Sequence, residues 1–499
     1  MESHLETRRG VYNDSVVLMR ISASLRARDG VEDALVAMAT PLNVGLLGDL
    51  GFDTSRVRDA GPADLLVALQ ARSCTHLDAA LAALDDMLSE PRGDAAGAGA
   101  VGRRHATLGE AVRTSGAGMA IISVPGPHVA PEAMEALRAG ADVMIFSDGV
   151  SVPEERALKT TAEGFDRLVM GPDCGTAFIG GVGLGFCNAL SGGGVGIVAA
   201  SGTGAQQVAC LLEARGIGVG AIVGVGGRDT SDAIAGLSTL RALALLDADP
   251  GIAVIALISK PPGPRTAQRL RERVAMLRTP VVLGLLGEDD GDLTTIAADV
   301  AERCGLPFAP PRTDGGTRTA GPGPVAGLFS GGTLAAEARH ILERGGTRVA
   351  GLDDLAAPTP AAIAAHPGDL VVDMGDDRLT AGRPHPMIDA TLRREAIKAL
   401  ARADGPRHLL LDIVLGHGAD DEPVAALAPA IAAFLAADGR NSVTVSVTGT
   451  ENDPQSLDRQ WARLAELGCA VYESSAAAAR NVSAAPVGCA DVDREARHD

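Results

Sequence analysis

Two short stretches carry the residue types that grip an anion. Ser201-Gly202-Thr203-Gly204 follows an apolar run, Val195–Ala200 (VGIVAA), and leads into a helical pattern, Ala205–Ala214. A buried strand that delivers a Gly-rich turn onto a helix start brings free N–H groups and the positive end of the helix dipole to one point. The glycines let the backbone approach a ligand closely, and the Ser and Thr hydroxyls add donors. The plainer reading is that Ser or Thr only caps the helix, and one such turn is a weak fingerprint. Ser330-Gly331-Gly332-Thr333 repeats the setting. Two such turns aimed at one point would hold an anion from both sides with little need of a Lys-rich pocket.

Cations stand at other strand ends. Lys260 lies in Ser-Lys-Pro-Pro, directly after the expected strand Val254–Ile258. Open α/β sheets place ligands beyond their strand C-termini, and the prolines restrict the backbone there. A Lys so placed could meet a phosphate; the plain reading is a solvated Lys beside a turn. Arg228 follows Gly226-Gly227 at another strand end and reads either as an anion ligand or as a surface ion pair. Arg383-Pro384-His385-Pro386 is a stiff loop that presents a cation and an imidazole able to handle protons near neutral pH, or is only a structural turn. Asp376-Asp377 could position His385, orient Arg383 or cap a turn. Cys174 in GPDCGT sits where a nucleophile could stand, but a buried, inert thiol is the favoured reading. His417 lies in a Gly-flanked loop without an adjoining phosphate turn. No second His stands at ligand spacing and no CxxC occurs, so no metal site is expected.

The elements that must position these residues follow a strand–helix alternation. Residues 11–90 read as a small α/β module, with strands Asp33–Thr40 and Asp64–Leu69 among three helices. The first ten residues, MESHLETRRG, read as polar and frayed. Residues 91–104 and 309–324 read as linkers. Residues 105–190, 192–308 and 325–480 each alternate strand and helix with short loops, which implies doubly wound parallel sheets of Rossmann or flavodoxin-like type. The last two segments echo each other: VGIVAASGTGAQQ by VAGLFSGGTLAAE, GVGGRDTSD by DMGDDRLTAG, AVIALISKPPG by LLLDIVLGHG. They read as two homologous domains facing each other. Aromatics are only 2% of the 499 residues, so Ala, Val, Leu and Ile must fill the cores.

The formal charge of −19, without a basic cluster, argues against a nucleic-acid partner. No apolar run is long enough for a spanning helix, no secretory signal precedes the first module, and the seven scattered cysteines read as reduced thiols. The expectation is a cytoplasmic protein with no membrane partner.

Several of these strings resemble a known family. PEAMEALRAGADVMIFSDGVSVPEE and LVMGPDCG look like the CoA-binding domain of the succinyl-CoA synthetase α subunit. GVGIVAASGTGAQQ and VGVGGRD look like that subunit's ligase domain, and GLFSGGTLAAEA, LLLDIVLGHGADDEPV and VSVTGTENDP like the C-terminal domain of the β subunit. GPDCGTA, ASGTG, GGRD, SKPP, SGGTLAAEA and GRPHPMID together resemble the FdrA family. In the synthetases the two turns correspond to paired helices that grip a phosphate, so the resemblance implies phosphate binding by Ser201–Gly204 and Ser330–Thr333. The departures are instructive. The N-terminal module has no Gly-rich loop of the kind that contacts CoA, so no cofactor is certain and CoA is kept only as a possible one. The stretch LLGEDDGDLTTIAADVAERC has no His to carry phosphate, and Lys260 stands where the synthetases place an acid. No nucleotide motif is present. The FdrA resemblance implies a subunit of a multisubunit carbamoyltransferase that works on carbamoyl phosphate and oxamate in purine and allantoin nitrogen breakdown. Helix dipoles, Lys260 and Arg228 would then stabilise the phosphate leaving group. The alternatives are an NDP-forming acyl-CoA synthetase subunit, or a regulatory or scaffolding subunit.

Overall fold

The computed structural model describes residues 2–11, 13, 15–61, 63–89, 105–287, 291–316, 323–380 and 383–483. The 91–104 linker and the middle of the 309–324 linker lie outside the described residues. The chain forms two compact units: Met1–Gly116 with Thr380–Asp389, and Ala117–Leu379 with Ala390–Asp499.

The first unit is built on strands β1 (Glu2–Arg8), β2 (Val31–Met38) and β3 (Leu65–Ala71), antiparallel in the order β1-β3-β2. The central strand reads LLVALQA without polar alternation because both of its faces are covered. Leu65, Val67 and Leu69 pack with Leu18, Leu25 and Leu84 from the helices Ser15–Arg26 and Cys74–Ser89; Leu66 and Ala68 pack with Leu47 and Val57 on the other side. The expectation of a frayed start is corrected here. MESHLETRRG supplies an edge strand whose register runs from Glu2 opposite Ala71 to Arg8 opposite Leu65. Only Leu5 of that strand is buried. An edge strand can carry charge, and its backbone pairing, not its side chains, secures it.

The second unit holds three sheets. The first is parallel: β4 (Met119–Ile122), β5 (Asp142–Ile145), β6 (Val169–Met170). The hairpin β7 (Thr176–Ile179) and β8 (Val182–Gly185), within the span expected as 105–190, is hydrogen-bonded into the next sheet. That sheet continues with β9 (Val195–Ala199), β10 (Val219–Gly224), β11 (Val254–Ser259) and β12 (Val281–Leu285), in the order β12-β11-β9-β10-β7-β8. The last sheet comprises β13 (Thr313–Asp314), β14 (Val325–Phe329), β15 (Leu370–Asp373), β16 (His408–Val414), β17 (Ser442–Thr448) and β18 (Ala470–Tyr472), in the order β13-β18-β17-β16-β14-β15.

The two six-stranded sheets share one plan. In each, the first parallel strand (β9, β14) lies between the second (β10, β15) and the third (β11, β16), and the fourth lies beyond the third. That is the flavodoxin-like order, with the topological switch beside the first strand. Both Gly-rich turns therefore emerge at a switch point, where such sheets hold ligands. The strands are buried over most of their length, which is why they read as continuous apolar runs.

Candidate functional site

Ser201 caps the helix Gly202–Glu213, its side chain accepting the Gly204 N–H at 2.9 Å. The helix Gly332–Arg344 starts differently: its N-cap is Gly331, which has no side chain to offer. The two turns meet. Ser201 Oγ donates to Thr333 Oγ1 at 2.6 Å, with both residues buried. A methyl group at Gly331 would lie 2.7 Å from Thr203 Oγ1, and one at Gly204 would lie 3.2 Å from Thr333 Cγ2. Gly331 has φ −108°, a backbone any residue adopts, so it is the approach of the other turn that requires glycine.

The echo between the turns is shifted by one residue from the letter match. Ser201 and Gly331 are the positional equivalents, and Ser330 corresponds to Ala200. Ser330 has another partner. Asp412, fully buried in β16, accepts the Ser330 N–H (2.7 Å) and hydroxyl (3.0 Å) with one oxygen and the Gly331 N–H (2.8 Å) with the other. Arg393 faces the same carboxylate at 3.2 Å. This carboxylate takes the Ser330 and Gly331 N–H groups that the sequence reading assigned to a ligand. Helix geometry leaves the next two N–H groups of each helix without intrahelical acceptors. Those of Gly202, Thr203, Gly332 and Thr333 have no partner among the described residues.

Two charged side chains reach Gly332. A methyl group there would lie 2.2 Å from Asp373 Oδ2 and 3.2 Å from Lys260 Nζ. Lys260 follows β11 and Asp373 ends β15, so each six-stranded sheet contributes one charge at the mouth of the turns. No carboxylate of the described residues lies within 4 Å of Lys260 Nζ. Burial pushes the Asp373 carboxyl up to about 6, opposed by the Gly375 N–H and Lys260. Asp173 is also raised to about 6, chiefly by lost hydration among its neighbours and next by Asp377, although its side chain still reaches solvent. Burial raises Asp377 as well, whereas Asp376 is held low by its hydrogen bonds to Arg378.

The other residues singled out by sequence have local settings of their own. Arg228 pairs with Glu155 at 3.0 Å and donates to the Val150 carbonyl at 2.7 Å. Glu155 and Asp229 both hold the buried Lys159 at 2.8 Å, and Asp229 also accepts three hydrogen bonds at the start of the helix Leu237–Ala248. Arg228-Asp229 is thus bound into a structural ion network, and Arg228 reaches Asp173 only through its field. Arg383 and His385 belong to the first compact unit. His385 folds its own turn: its Nδ1 accepts the Met387 N–H and its carbonyl the Ile388 N–H. Cys174 is buried and its thiol pushed up to about 12, so it is inert. His417 has an exposed side chain, and its backbone bridges to Cys187.

Comparison with known proteins adds the kinship. Residues 1–103 match the family described as AllF, heavy metal-associated domain, and residues 328–485 match CoA-ligase. The FdrA-like protein YahF of Escherichia coli K12 is 36% identical over 491 residues, which cover 93% of this chain and 95% of YahF. The chain belongs to the FdrA family. The α subunit 2 of the ADP-forming succinate–CoA ligase of Archaeoglobus fulgidus is 32% identical over 35% of this FdrA-type chain and 60% of its own length. The malate–CoA ligase α subunit of Methylorubrum extorquens is 31% identical over 32% of the chain and 56% of its own length. Among solved structures, a dinucleotide-forming acetyl-coenzyme A synthetase of Ca. Korarchaeum cryptofilum aligns over 73% of the chain and 81% of its own, at 16% identity and a TM-score of 0.29. The FdrA family is thus tied by sequence to succinyl-CoA synthetase-like enzymes. Residues 1–103 contain a single cysteine, Cys74, and no group of three or more metal-ligating side chains occurs among the described residues. No helix of the described residues is long and apolar enough to cross a membrane.

Proposed function

We propose that this FdrA-type chain holds an acyl phosphate between the starts of the 202–213 and 332–344 helices and transfers its acyl group as part of a multisubunit carbamoyltransferase. The observation that carries the reading is the meeting of two helix starts whose N–H groups at Gly202, Thr203, Gly332 and Thr333 have no partner among the described residues, with Lys260 Nζ beside Gly332. Such an arrangement favours a phosphate and stabilises the charge it gains on leaving. With carbamoyl phosphate, an amide nitrogen such as that of oxamate attacks the carbonyl carbon. The bond between the carbonyl carbon and the bridging oxygen breaks, phosphate departs with the electron pair, and the nitrogen gives up a proton. Asp373, beside Gly332 and raised by burial to about 6, is the group of this chain suited to take that proton close to neutral pH. Arg228 contributes only field in this scheme, and no step is assigned to Arg383 or His385.

The test is a titration of the purified chain, or of its assembled complex, with carbamoyl phosphate and with phosphate. Lys260→Ala weakens binding by roughly tenfold to a hundredfold, since a charged hydrogen bond contributes about 1.5–3 kcal/mol. Lys260→Glu is worse. Unchanged affinity in both variants overturns the role of Lys260.

A second reading, an acyl-CoA ligase subunit, draws support from the CoA-ligase match and from the names of the α-subunit relatives. It requires CoA binding and a phosphohistidine. Leu285–Cys304 contains no His, so incubation with ATP and a synthetase-type partner is expected to leave no acid-labile phosphate on the chain. Stoichiometric phosphohistidine by mass spectrometry would favour this second reading.

A further inference from the structure

Two serines of the turns spend their hydroxyls on the fold. Ser201 donates to Thr333 and accepts the Gly204 N–H, and Ser330 donates to Asp412. A hydroxyl from outside the turns is not spent. Thr176 opens β7, the strand that pairs with β10 through Phe178 opposite Ile222. The two lie so close that a methyl group at Gly224, the last residue of β10, would come 2.4 Å from the Thr176 carbonyl oxygen. The same approach carries the Thr176 side chain to the start of the 202–213 helix. A methyl group at Gly202 would lie 2.9 Å from Thr176 Oγ1 and 3.6 Å from its Cβ, so the hydroxyl is the end turned toward Gly202. Thr176 is only 3% exposed, yet its hydroxyl has no hydrogen-bond partner among the described residues. The oxygen itself is not sealed off from solvent. A packed side chain that leaves its one polar atom open and unpaired, beside the free N–H groups of Gly202 and Thr203, calls for a ligand at that point.

We propose that Thr176 forms a third side of the phosphate cradle, its hydroxyl donating to an oxygen of the phosphate held at the Gly202 and Thr203 N–H groups. The inference deepens the acyl-phosphate reading and rests on it. Each helix start then has a side-chain donor at its flank: Lys260 Nζ beside Gly332, and the Thr176 hydroxyl beside Gly202. A structural use for this hydroxyl is already filled, because Ser201 caps the 202–213 helix. Threonine suits the place. Its branched, packed side chain is held at χ1, so little freedom is lost when it takes a ligand. The contact also gives a reason for glycine at 202, since a Cβ there would cover the hydroxyl. The cradle is thus drawn from three strand ends of the same sheet, at β7, β9 and β11, and from β14 and β15 of the other.

The test titrates the full chain with inorganic phosphate by calorimetry and follows thermal unfolding with and without phosphate. Thr176→Val keeps the branched shape and removes only the hydroxyl. Without phosphate it is expected to unfold at or above the wild-type temperature, because no protein group loses a bond. It is expected to bind phosphate about tenfold more weakly, as for a lost hydrogen bond to a charged group. Phosphate therefore raises its unfolding temperature less than it raises that of the wild type. Thr176→Ser, which restores the donor, recovers affinity to within about twofold. Wild-type affinity in Thr176→Val, affinity in Thr176→Ser as weak as in Thr176→Val, or a Thr176→Val chain destabilised in the absence of phosphate overturns the role of Thr176 and leaves the cradle standing. No phosphate binding by the wild type overturns the cradle reading, and the Thr176 proposal with it.

Discussion

The turn after β9 and the turn after β14 perform one task with different supports. The first is self-sufficient: Ser201 caps its helix and reaches across to Thr333. The second has glycine at the cap and borrows a buried carboxylate, Asp412, from the neighbouring strand β16, with Arg393 behind it. Strand pairing places Ile258 of β11 at the position that Asp412 takes in β16. One half thus has an apolar side chain beneath its turn and the other an ion pair. The lesson is that close approach of two helix starts forbids two side-chain caps. Thr203 occupies the space that a serine at 331 would need, so the second turn must be braced from beneath.

The largest expected effect breaks that brace. Asp412→Ala removes the acceptor for two N–H groups and leaves Arg393 buried without its carboxylate, at a cost of about 3–5 kcal/mol. Ser201→Ala, the matching change in the first half, is expected to cost about 1–2 kcal/mol. Urea denaturation compares the two, and equal losses would undo the asymmetry. Next comes Gly331→Ser, which gives both turns the same cap residue. It is expected to destabilise by about 1–3 kcal/mol through overpacking against Thr203 and to weaken phosphate binding. A stabilised variant would show that the cap, and not the space, is limiting. The smallest effect is one of pH. Asp373 is neutral below about 6 and ionised above it, so its negative charge beside the cradle grows as pH rises. Wild-type affinity for carbamoyl phosphate, divided by that of Asp373→Asn, should fall about fivefold from pH 5 to pH 7.5, which is about 1 kcal/mol. A flat ratio would remove Asp373 from the cradle. Taking the ratio cancels the titration of the ligand itself.

Much of this arrangement is legible in the sequence because parallel strands buried on both faces write themselves as apolar runs. Val195–Ala199, Val254–Ser259 and Val325–Phe329 each announce a strand, and the glycines after the first and last announce the turns. The exact pairing of the turns is not legible, because letter matching aligns Ser201 with Ser330 whereas helix geometry aligns it with Gly331. Asp412 left a signal that can be read: one acid inside LLLDIV needs a buried partner, and the partner is a Gly-rich turn and an arginine. Asp373, at the end of LVVD, left a fainter signal of the same kind. Glu337 looks like an ordinary polar helix position, and only three-dimensional packing reveals that it is buried. Arg383-Pro384-His385-Pro386 reads as chemistry because it is a stiff loop with an imidazole, and in the structure that imidazole accepts the Met387 N–H of its own turn.

The polar first strand has a practical bearing on how the protein is handled. Trimming residues 2–8, as one would a dispensable tail, strips β3 of one of its two partner strands along its full length from Leu65 to Ala71. Those residues are almost wholly buried, and their backbone donors and acceptors would face water or another chain. Such a preparation would pair chain to chain at the bared strand, so a tag is safer placed upstream of an intact leader than in its place.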